Sequence, residues 1–386
     1  HRTTLYKEPR GGASRPERRK DRSGTGTRRI YAPNARRYNR ANDKQTETDG
    51  MIREFHQIDL SGRNSFGVGQ QAARLAEFET EEDLRTIFSG GVPERWAVLS
   101  GGNNILFTRD YDGLLLTPVA RQITPLGEEG DTVRVRADAG VEWDDLVEWA
   151  VERGLWGIEN LSLIPGTVGA APVQNIGAYG CEVKETIRSV EMCSTDTCNM
   201  VILNGEHCGF GYRESVFKHA LRGRAVITAV TFSLSRTPRP RVDYGDLARE
   251  TERLGGPTLR NIREAVCAIR RSKLPDPAAM GNAGSFFRNP TVDRSVAEEL
   301  RARYPDMPVY PAEEEGKIKL AAGWMIDRAG MKGHIDGRVG VHDRQALVLV
   351  NRGGATGGEV LDLAREVQRA VRERFGVEID MEVNIL

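Results

Sequence analysis

A stretch rich in glycine, alanine and proline, residues 159–180, constrains the fold of this chain more than any other part of its sequence. It reads ENLSLIPGTVGAAPVQNIGAYG, so few large side chains are available to fill space. Small residues let a backbone approach a ligand closely, and successive N–H groups in tight turns form a concavity that holds an anion such as a pyrophosphate. On the residues alone, a phosphate-bearing cofactor and a glycine-rich structural turn are both consistent with the stretch.

A second glycine turn, residues 100–104, reads SGGNN and lies between two β-like runs, 96–99 and 105–107. This pattern predicts a strand, a turn and a strand. Neither glycine-rich stretch fits G-x-G-x-x-G or G-x-x-x-x-G-K-[ST], so a Rossmann dinucleotide site and a Walker loop are both unsupported.

The charge of the chain is unevenly distributed. Among 386 residues with a formal net charge of zero, the first fifty carry 14 Lys/Arg against 6 Asp/Glu, which leaves 41 against 49 in the remainder. The body is therefore mildly acidic, which argues against nucleic-acid binding as its main function. A chain of this length accommodates two or three domains.

The first fifty residues contain basic clusters among Gly, Ser, Pro and Asn, with few apolar side chains to bury. This composition predicts a disordered extension over residues 1–50; binding of RNA or of a membrane surface is the alternative. Since no apolar segment approaches the length of a membrane span, we expect neither membrane insertion nor export.

Five cysteines form no C-x-x-C pair, so we expect reduced thiols rather than a disulfide framework. Cys193 and Cys198 flank a short polar turn, but no His or Cys pair lies nearby in the sequence to complete four zinc ligands. We therefore predict no metal site.

Apolar periodicity predicts three core-facing helices, over residues 142–153, over residues 259–269 and after residue 358. The terminal run 378–385 alternates apolar and polar residues, which predicts a strand. In that strand Glu382 points away from the core, toward solvent or a cleft.

Three polar segments carry candidate chemistry: 210–218 (FGYRESVFK), 271–277 (RSKLPDP) and 282–290 (NAGSFFRNP). In the last segment Ser285 lies between a flexible glycine and two aromatics, so its hydroxyl is expected to be presented rather than buried. A serine in a glycine loop is often only a turn former, and Lys273 on its own fits a surface charge equally well.

Together these segments and the two glycine-rich stretches resemble the UDP-N-acetylenolpyruvoylglucosamine reductase family, from about residue 64 to the C-terminus. The resemblance implies an α+β flavoprotein with a two-subdomain FAD-binding domain of the vanillyl-alcohol-oxidase (PCMH) type over residues 51–237. An α+β substrate-binding domain would follow over residues 238–386, and FAD would be bound noncovalently. The cofactor-lining residues that the resemblance implies are Ser100, Gly101, Gly102, Asn103, Asn104, Pro165, Gly166, Thr167, Gly169, Asn175, Gly177, Ala178, Tyr179 and Gly180.

The resemblance implies a catalytic set of Ser285, Arg213 and Glu382 for NADPH-dependent reduction of UDP-N-acetylglucosamine enolpyruvate to UDP-N-acetylmuramate. Ser285 would donate a proton, and Arg213 and Glu382 would stabilise an enolate. The family often has a proline before this glutamate, whereas here Met381 precedes it. The residues implied to bind substrate are Tyr212, Tyr244, Lys273, Asn289 and Gln345.

The segment VDYGDL, residues 242–247, resembles the mobile tyrosine loop of the longer subclass of the family and predicts a lid carrying Tyr244. We expect a cytoplasmic monomer whose partners are the UDP-sugar and NADPH, with no nucleic acid or membrane. Two rival functions are an oxidase of small alcohols on the same flavin fold and a catalytically silent nucleotide-sugar binding protein.

Overall fold

The structure, a computed structural model, describes the strand Lys44–Glu47 and residues 52–386. Apart from that strand, the disordered extension predicted over residues 1–50 lies outside the described residues. No helix in the described part of the chain is both long enough and apolar enough to cross a membrane.

The first layer is a five-stranded sheet in the order β1-β2-β3-β6-β4, antiparallel from β1 to β3 and parallel from β3 to β4. The predicted strand, glycine turn and strand are confirmed, because β4 and β5 flank residues 100–104. The strands and α-helices over residues 44–118 are β1 (Lys44–Glu47), β2 (Arg53–Asp59), β3 (Gln71–Phe78), α1 (Glu81–Phe88), β4 (Trp96–Val98), β5 (Ile105–Leu106) and β6 (Tyr111–Pro118).

The second layer is an antiparallel sheet in the order β12-β11-β13-β8-β7. The predicted helix over residues 142–153 is confirmed as α2, which buries Trp143 edge-on against Phe232 of the sheet at 5.9 Å between ring centroids. The strands and α-helices over residues 123–235 are β7 (Ile123–Glu129), β8 (Thr132–Asp138), α2 (Trp143–Glu152), β9 (Gly177–Ala178), β10 (Cys181–Glu182), β11 (Ile187–Ser194), β12 (Met200–Asn204) and β13 (Ala225–Ser235), with β9 and β10 paired apart from the sheet.

The residues after β13 form helices, two three-stranded antiparallel sheets and the strand β20. The second predicted helix ends at Lys273 rather than Ile269, since its last turn is polar and lies beyond the apolar period. The third is confirmed as α7, which Thr356 and Glu359 cap at its start. The elements are α3 (Leu247–Arg253), α4 (Leu259–Lys273), β14 (Thr291–Asp293), α5 (Arg294–Arg303), β15 (Val309–Pro311), β16 (Lys317–Leu320), α6 (Ala322–Arg328), β17 (Ile335–Asp336), β18 (Val339–Val341), β19 (Leu349–Asn351), α7 (Gly357–Phe375) and β20 (Asn384–Ile385).

One hydrophobic core joins the first layer to the C-terminal part of the chain. Phe66 and Phe107 from the N-terminal side pack in the same cluster as Phe286 and Val360. The domain boundary predicted at residues 237/238 stays a prediction, but the two sides of it share buried surface.

The strand predicted over residues 378–385 is wrong in extent. Only β20 is a strand, and it pairs in parallel with β5, next to the glycine turn. Before that, Met381 forms an isolated bridge with Phe287, so the segment changes partner midway. Ile379 and Val383 are buried as expected, whereas Ile385 is exposed.

Candidate active site

Arg213 lies in a tight turn and makes three side-chain hydrogen bonds. Its backbone has a φ of 58°, unusual for a residue with a side chain, and Gly211 and Glu214 exchange backbone hydrogen bonds across it. Its Nη2 donates to Gly177 O at 2.7 Å, its Nη1 to Asn175 O at 3.3 Å and its Nε to Glu382 Oε1 at 3.1 Å. These contacts fix the guanidinium beside the end of the long glycine-rich stretch.

Glu382, the partner of Arg213, is an acid with little exposure: 13% of its side chain is accessible. Burial raises the pKa of this carboxyl above its ordinary value, although the charges of Arg213, Lys218 and Arg288 oppose the shift. The carboxyl therefore keeps a proton to higher pH than a surface glutamate does, and it can act as a hydrogen-bond donor.

The backbone of Ser285 is held in place by its neighbours. Gly284 precedes it at a φ of 69°, and the N–H of Gly284 donates to Oδ1 of the buried Asn282. Ser285 itself forms a bridge with Val348. Within residues 52–386 its hydroxyl has no hydrogen-bond partner, so it is available to a ligand.

The serine loop and the glutamate segment are joined directly. The N–H of Glu382 donates to Phe286 O at 2.7 Å, and the N–H of Arg288 donates to Asp380 O at 3.1 Å. The structure therefore brings together Ser285, Arg213 and Glu382, which the sequence placed in three separate segments.

The predicted cofactor loops converge beside these residues. Nδ2 of Asn104 donates to Gln174 Oε1 at 2.7 Å and to Glu382 O at 3.3 Å. A Cβ added to Gly101 would lie 3.9 Å from the Cα of Gly166. The turn 100–104 therefore lies against residues 165–174.

Glycine is required in these loops by close backbone contact. A Cβ at Gly102 would lie 2.2 Å from the carbonyl oxygen of Arg63, and one at Gly169 would lie 2.6 Å from the Cβ of Ala139. The two glycines hold the loops close to neighbouring backbone, which fixes their shape.

Thr167 provides a test of whether the loops fit a bound group. Its hydroxyl is buried and has no hydrogen-bond partner among the described residues. Leaving a buried polar atom unpaired costs about 1–3 kcal/mol, so such an atom is expected to have a partner in the functional protein. A phosphate-bearing cofactor held in this cradle would supply one, so the residues present fit such a group.

The side chain of Asn175, one of the residues expected to line the cofactor, is hydrogen-bonded within the protein. It is fully buried, and its amide donates to Glu182 Oε2 and Gly211 O while its Oδ1 accepts from the N–H of Lys184. Its side chain therefore fastens the loop to the protein.

Tyr244 packs edge-on against Tyr179 at 6.2 Å between ring centroids and is half-exposed. Nζ of Lys273 lies 3.3 Å from Asp246 Oδ2, in the same loop as Tyr244. The predicted lid thus rests on the predicted cofactor loop and is tied to the end of α4.

Of the other predicted substrate-binding residues, Asn289 accepts a hydrogen bond at 2.9 Å from the N–H of Ala322, at the start of α6. Oε1 of Gln345 accepts one at 3.5 Å from the N–H of Leu347. Leu347 in turn accepts from the N–H of Phe286, so Gln345 belongs to the loop that supports the serine.

Sequence reasoning missed Lys319. Its ammonium lies 3.6 Å from the ring centroid of Tyr212, and the Arg213 guanidinium lies 5.2 Å from the same centroid. Burial, followed by the charge of Arg213, lowers the pKa of Lys319, while Glu182 acts in the opposite direction. In β16, Lys319 stands between Ile318 and Leu320. This alternation in the sequence is the signal that the Lys319 side chain faces away from the core.

Two family models match the chain. One, described as the C-terminal domain of UDP-N-acetylenolpyruvoylglucosamine reductase, covers residues 276–386, and one described as an FAD binding domain covers residues 72–198.

Curated relatives cover most of the chain. A UDP-N-acetylenolpyruvoylglucosamine reductase of Chromobacterium violaceum is 49% identical over 85% of this chain and 98% of its own length. One of Pseudomonas aeruginosa is 47% identical over 84% of this chain and 97% of its own length.

Among solved structures, a UDP-N-acetylenolpyruvylglucosamine reductase of Thermus caldophilus aligns with a TM-score of 0.61 at 23% identity, covering 87% of this chain and 98% of that one. With the FAD-domain match, this likeness confirms the predicted α+β fold class, with an FAD-binding domain followed by an α+β C-terminal part.

Proposed function

The chain belongs to the UDP-N-acetylenolpyruvoylglucosamine reductase family, and from that premise we propose that it reduces UDP-N-acetylglucosamine enolpyruvate to UDP-N-acetylmuramate with NADPH. It is a flavin-dependent oxidoreductase of that family. The observation that carries the proposal is the junction of three segments: Arg213 bonded to Glu382, and Glu382 bonded through its backbone to the loop of Ser285.

The substrate is an enol ether conjugated to a carboxylate. Reduction adds a hydride to the carbon distant from the carboxylate and a proton to the carbon beside it, and negative charge spreads onto the carboxylate between the two events. FAD, when bound, takes a hydride from NADPH and supplies it to the substrate.

Arg213 provides the cation for that charge. Its position is fixed by the carbonyl oxygens of Gly177 and Asn175, so little reorganisation is needed when charge develops. A Glu382 carboxyl that retains its proton adds a neutral hydrogen-bond donor beside the cation, where an ionised carboxylate would repel an enolate.

Ser285 provides the proton. Its hydroxyl has no competing partner among the described residues, and its backbone is tied on both sides, to Val348 and, through Phe286, to Glu382. A serine is a weak acid, so the reaction depends on its placement; general-acid help of this kind contributes about 10²–10⁴-fold.

The UDP part of the substrate requires cations and hydrogen-bond donors for its diphosphate. Lys273, Asn289, Gln345 and Tyr212 are assigned to it, with Tyr244 as the lid. Lys319 joins this set because its ammonium lies over the ring of Tyr212, next to Arg213.

NADPH and the enolpyruvyl substrate use one cleft in turn, since the sequence has no separate nicotinamide-binding motif. The reaction is a step in peptidoglycan precursor synthesis, carried out in the cytoplasm by a monomer.

Anaerobic stopped-flow absorbance at the flavin band tests the function. NADPH is expected to bleach the FAD-loaded protein, and the colour is expected to return only when UDP-N-acetylglucosamine enolpyruvate is added. A protein that bleaches but recovers only with oxygen would instead be an oxidase on the same fold. Failure to take up FAD would overturn the assignment of the cradle.

A further inference from the structure

The loop that follows β18, residues 342–348, forms one wall of the serine site. Val348 forms the bridge to Ser285, and Leu347 O accepts a hydrogen bond of 2.7 Å from the N–H of Phe286. The same loop carries Gln345. The positions of the Ser285 backbone and the Gln345 side chain therefore depend on the shape of this loop.

His342 organises the loop. Its Nδ1 accepts hydrogen bonds from the N–H groups of Arg344 at 3.4 Å and Gln345 at 3.3 Å. Its backbone N–H donates to Val348 O at 2.9 Å, and the N–H of Val348 donates to Gln345 O at 3.0 Å. The residue is 7% exposed, so water does not easily replace these contacts.

The two bonds to Nδ1 require an imidazole without a proton on that nitrogen. The charged groups that act on the ring are Asp343, whose carboxylate lies 3.5 Å from Nε2 but is largely exposed, and Arg344. Burial, the largest influence, lowers the pKa of His342; Asp343 raises it and Arg344 lowers it. The neutral ring is therefore the form present near pH 7.

We propose that His342 is a positioning residue for proton donation. Its Nδ1 holds loop 342–348 in the shape that fixes the positions of the Ser285 backbone and the Gln345 side chain. This inference rests on the proposed function. Protonation of Nδ1 removes an acceptor for two N–H groups and places a third donor beside them, which opens the loop. The effect is expected in the step that uses Ser285 and not in the reduction of the flavin by NADPH.

Two amide variants isolate the role of Nδ1. In His342→Asn the side-chain oxygen lies near the position of Nδ1, whereas in His342→Gln the amide extends to the position of Nε2. Neither side chain titrates, and both are polar, so loss of the Nδ1 acceptor is the main difference between them. His342→Leu removes both nitrogens, and His56→Asn, at a half-exposed position of β2, serves as the control.

The measurement is anaerobic stopped-flow of both half-reactions on FAD-loaded protein, over a range of pH. The wild type is measured first: if its flavin is not reoxidised by the enolpyruvyl substrate, the proposed function fails before His342 is tested. With a working wild type, His342→Gln and His342→Leu are expected to slow reoxidation at least ~tenfold while flavin reduction changes less than ~threefold. His342→Asn is expected to stay within about threefold of wild type.

The acid side of the pH profile provides a second readout. Wild type and His56→Asn are expected to lose reoxidation rate as the pH falls below the ordinary histidine range, and His342→Asn to lack that decline. Equal rates in the Asn and Gln variants would overturn the proposal, and so would equal slowing of both half-reactions. If His342→Leu fails to fold, the Asn and Gln pair still decides the question.

Discussion

Nε of Arg213 donates a 3.1 Å hydrogen bond to Oε1 of Glu382, joining two side chains that lie 169 positions apart in the chain. The pair is mostly buried, with 18% and 13% of the two side chains exposed. Because burial raises the pKa of the Glu382 carboxyl, the contact joins a fixed cation to an acid that keeps its proton to higher pH than a surface glutamate does, and we propose that this pair stabilises the enolate.

Arg213→Lys is expected to slow reoxidation of reduced flavin by the enolpyruvyl substrate by about 10²-fold or more. An ammonium cannot reproduce three divergent bonds to Glu382, Gly177 and Asn175, so the charge is kept but its position is lost. Single-turnover stopped-flow measures the step. Arg222→Lys, on an exposed turn, is the control. An Arg213→Lys protein as fast as wild type would show that the three hydrogen bonds of the guanidinium are not needed for the reaction.

Glu382→Gln is expected to change the pH dependence of stability. The folded protein holds the Glu382 proton more tightly than the unfolded chain, so stability falls as the pH rises from the ordinary glutamate pKa through the raised one. The variant has no such proton and should lack this contribution. Thermal midpoints of both proteins between about pH 4 and 8 measure the difference, with the exposed Glu378→Gln as control; parallel curves would contradict the raised pKa.

Ser285→Ala is expected to leave the reduction of flavin by NADPH nearly intact and to slow reoxidation by the substrate about 10²–10⁴-fold. The hydroxyl has no hydrogen-bond partner among residues 52–386, so its loss is expected to leave the fold, and with it flavin reduction, unchanged. Reoxidation is expected to slow because the substrate loses its proton donor. Ser61→Ala, whose hydroxyl donates to Asp59 Oδ2 on the surface, is the matched control. Unimpaired turnover of the Ser285→Ala protein would exclude this serine as the proton donor.

The elements that the sequence predicted correctly are those with a local cause. Trp143, Leu146 and Val147 recur at helical spacing, and α2 forms there with those side chains buried. The turn 100–104 was predictable because two glycines and two asparagines stand between two apolar runs, and Gly102 takes a φ of 61° there. Such signals lie within one element or one turn.

The arrangement of the site depends on contacts between distant segments, and local patterns do not encode these. The terminal run around Met381 alternates like a strand, yet its first half pairs with the serine loop and its last residues with β5. Asn175 lies in a glycine-rich loop, and the local sequence does not indicate that its side-chain amide forms hydrogen bonds with Glu182, Gly211 and Lys184. The resemblance to a known family supplied the catalytic set, and the structure supplied its connections.

Thr167→Val is expected to weaken FAD binding roughly three- to tenfold without lowering the stability of the apoprotein. The hydroxyl is buried and unpartnered in the described part of the chain, so its replacement by a methyl group removes an unpaired polar atom from the apoprotein and a hydrogen bond from the complex. Quenching of flavin fluorescence gives the affinity, and thermal melts without FAD give the stability. Thr197→Val, at an exposed position, is the control; unchanged affinity would place Thr167 outside the cofactor site.

Tyr244→Ala is expected to raise the KM for the enolpyruvyl substrate at least ~tenfold and to change the rate of flavin reduction by NADPH less than ~threefold. The ring rests edge-on against Tyr179, a contact worth about 0.5–1.5 kcal/mol, and removing it releases the loop from the cofactor side of the cleft. Tyr244→Phe keeps the ring and is expected to raise the KM less than the alanine variant does. Steady-state kinetics and NADPH bleaching of the three proteins decide between a lid and a passive surface loop, because a passive loop would leave all the KM values equal.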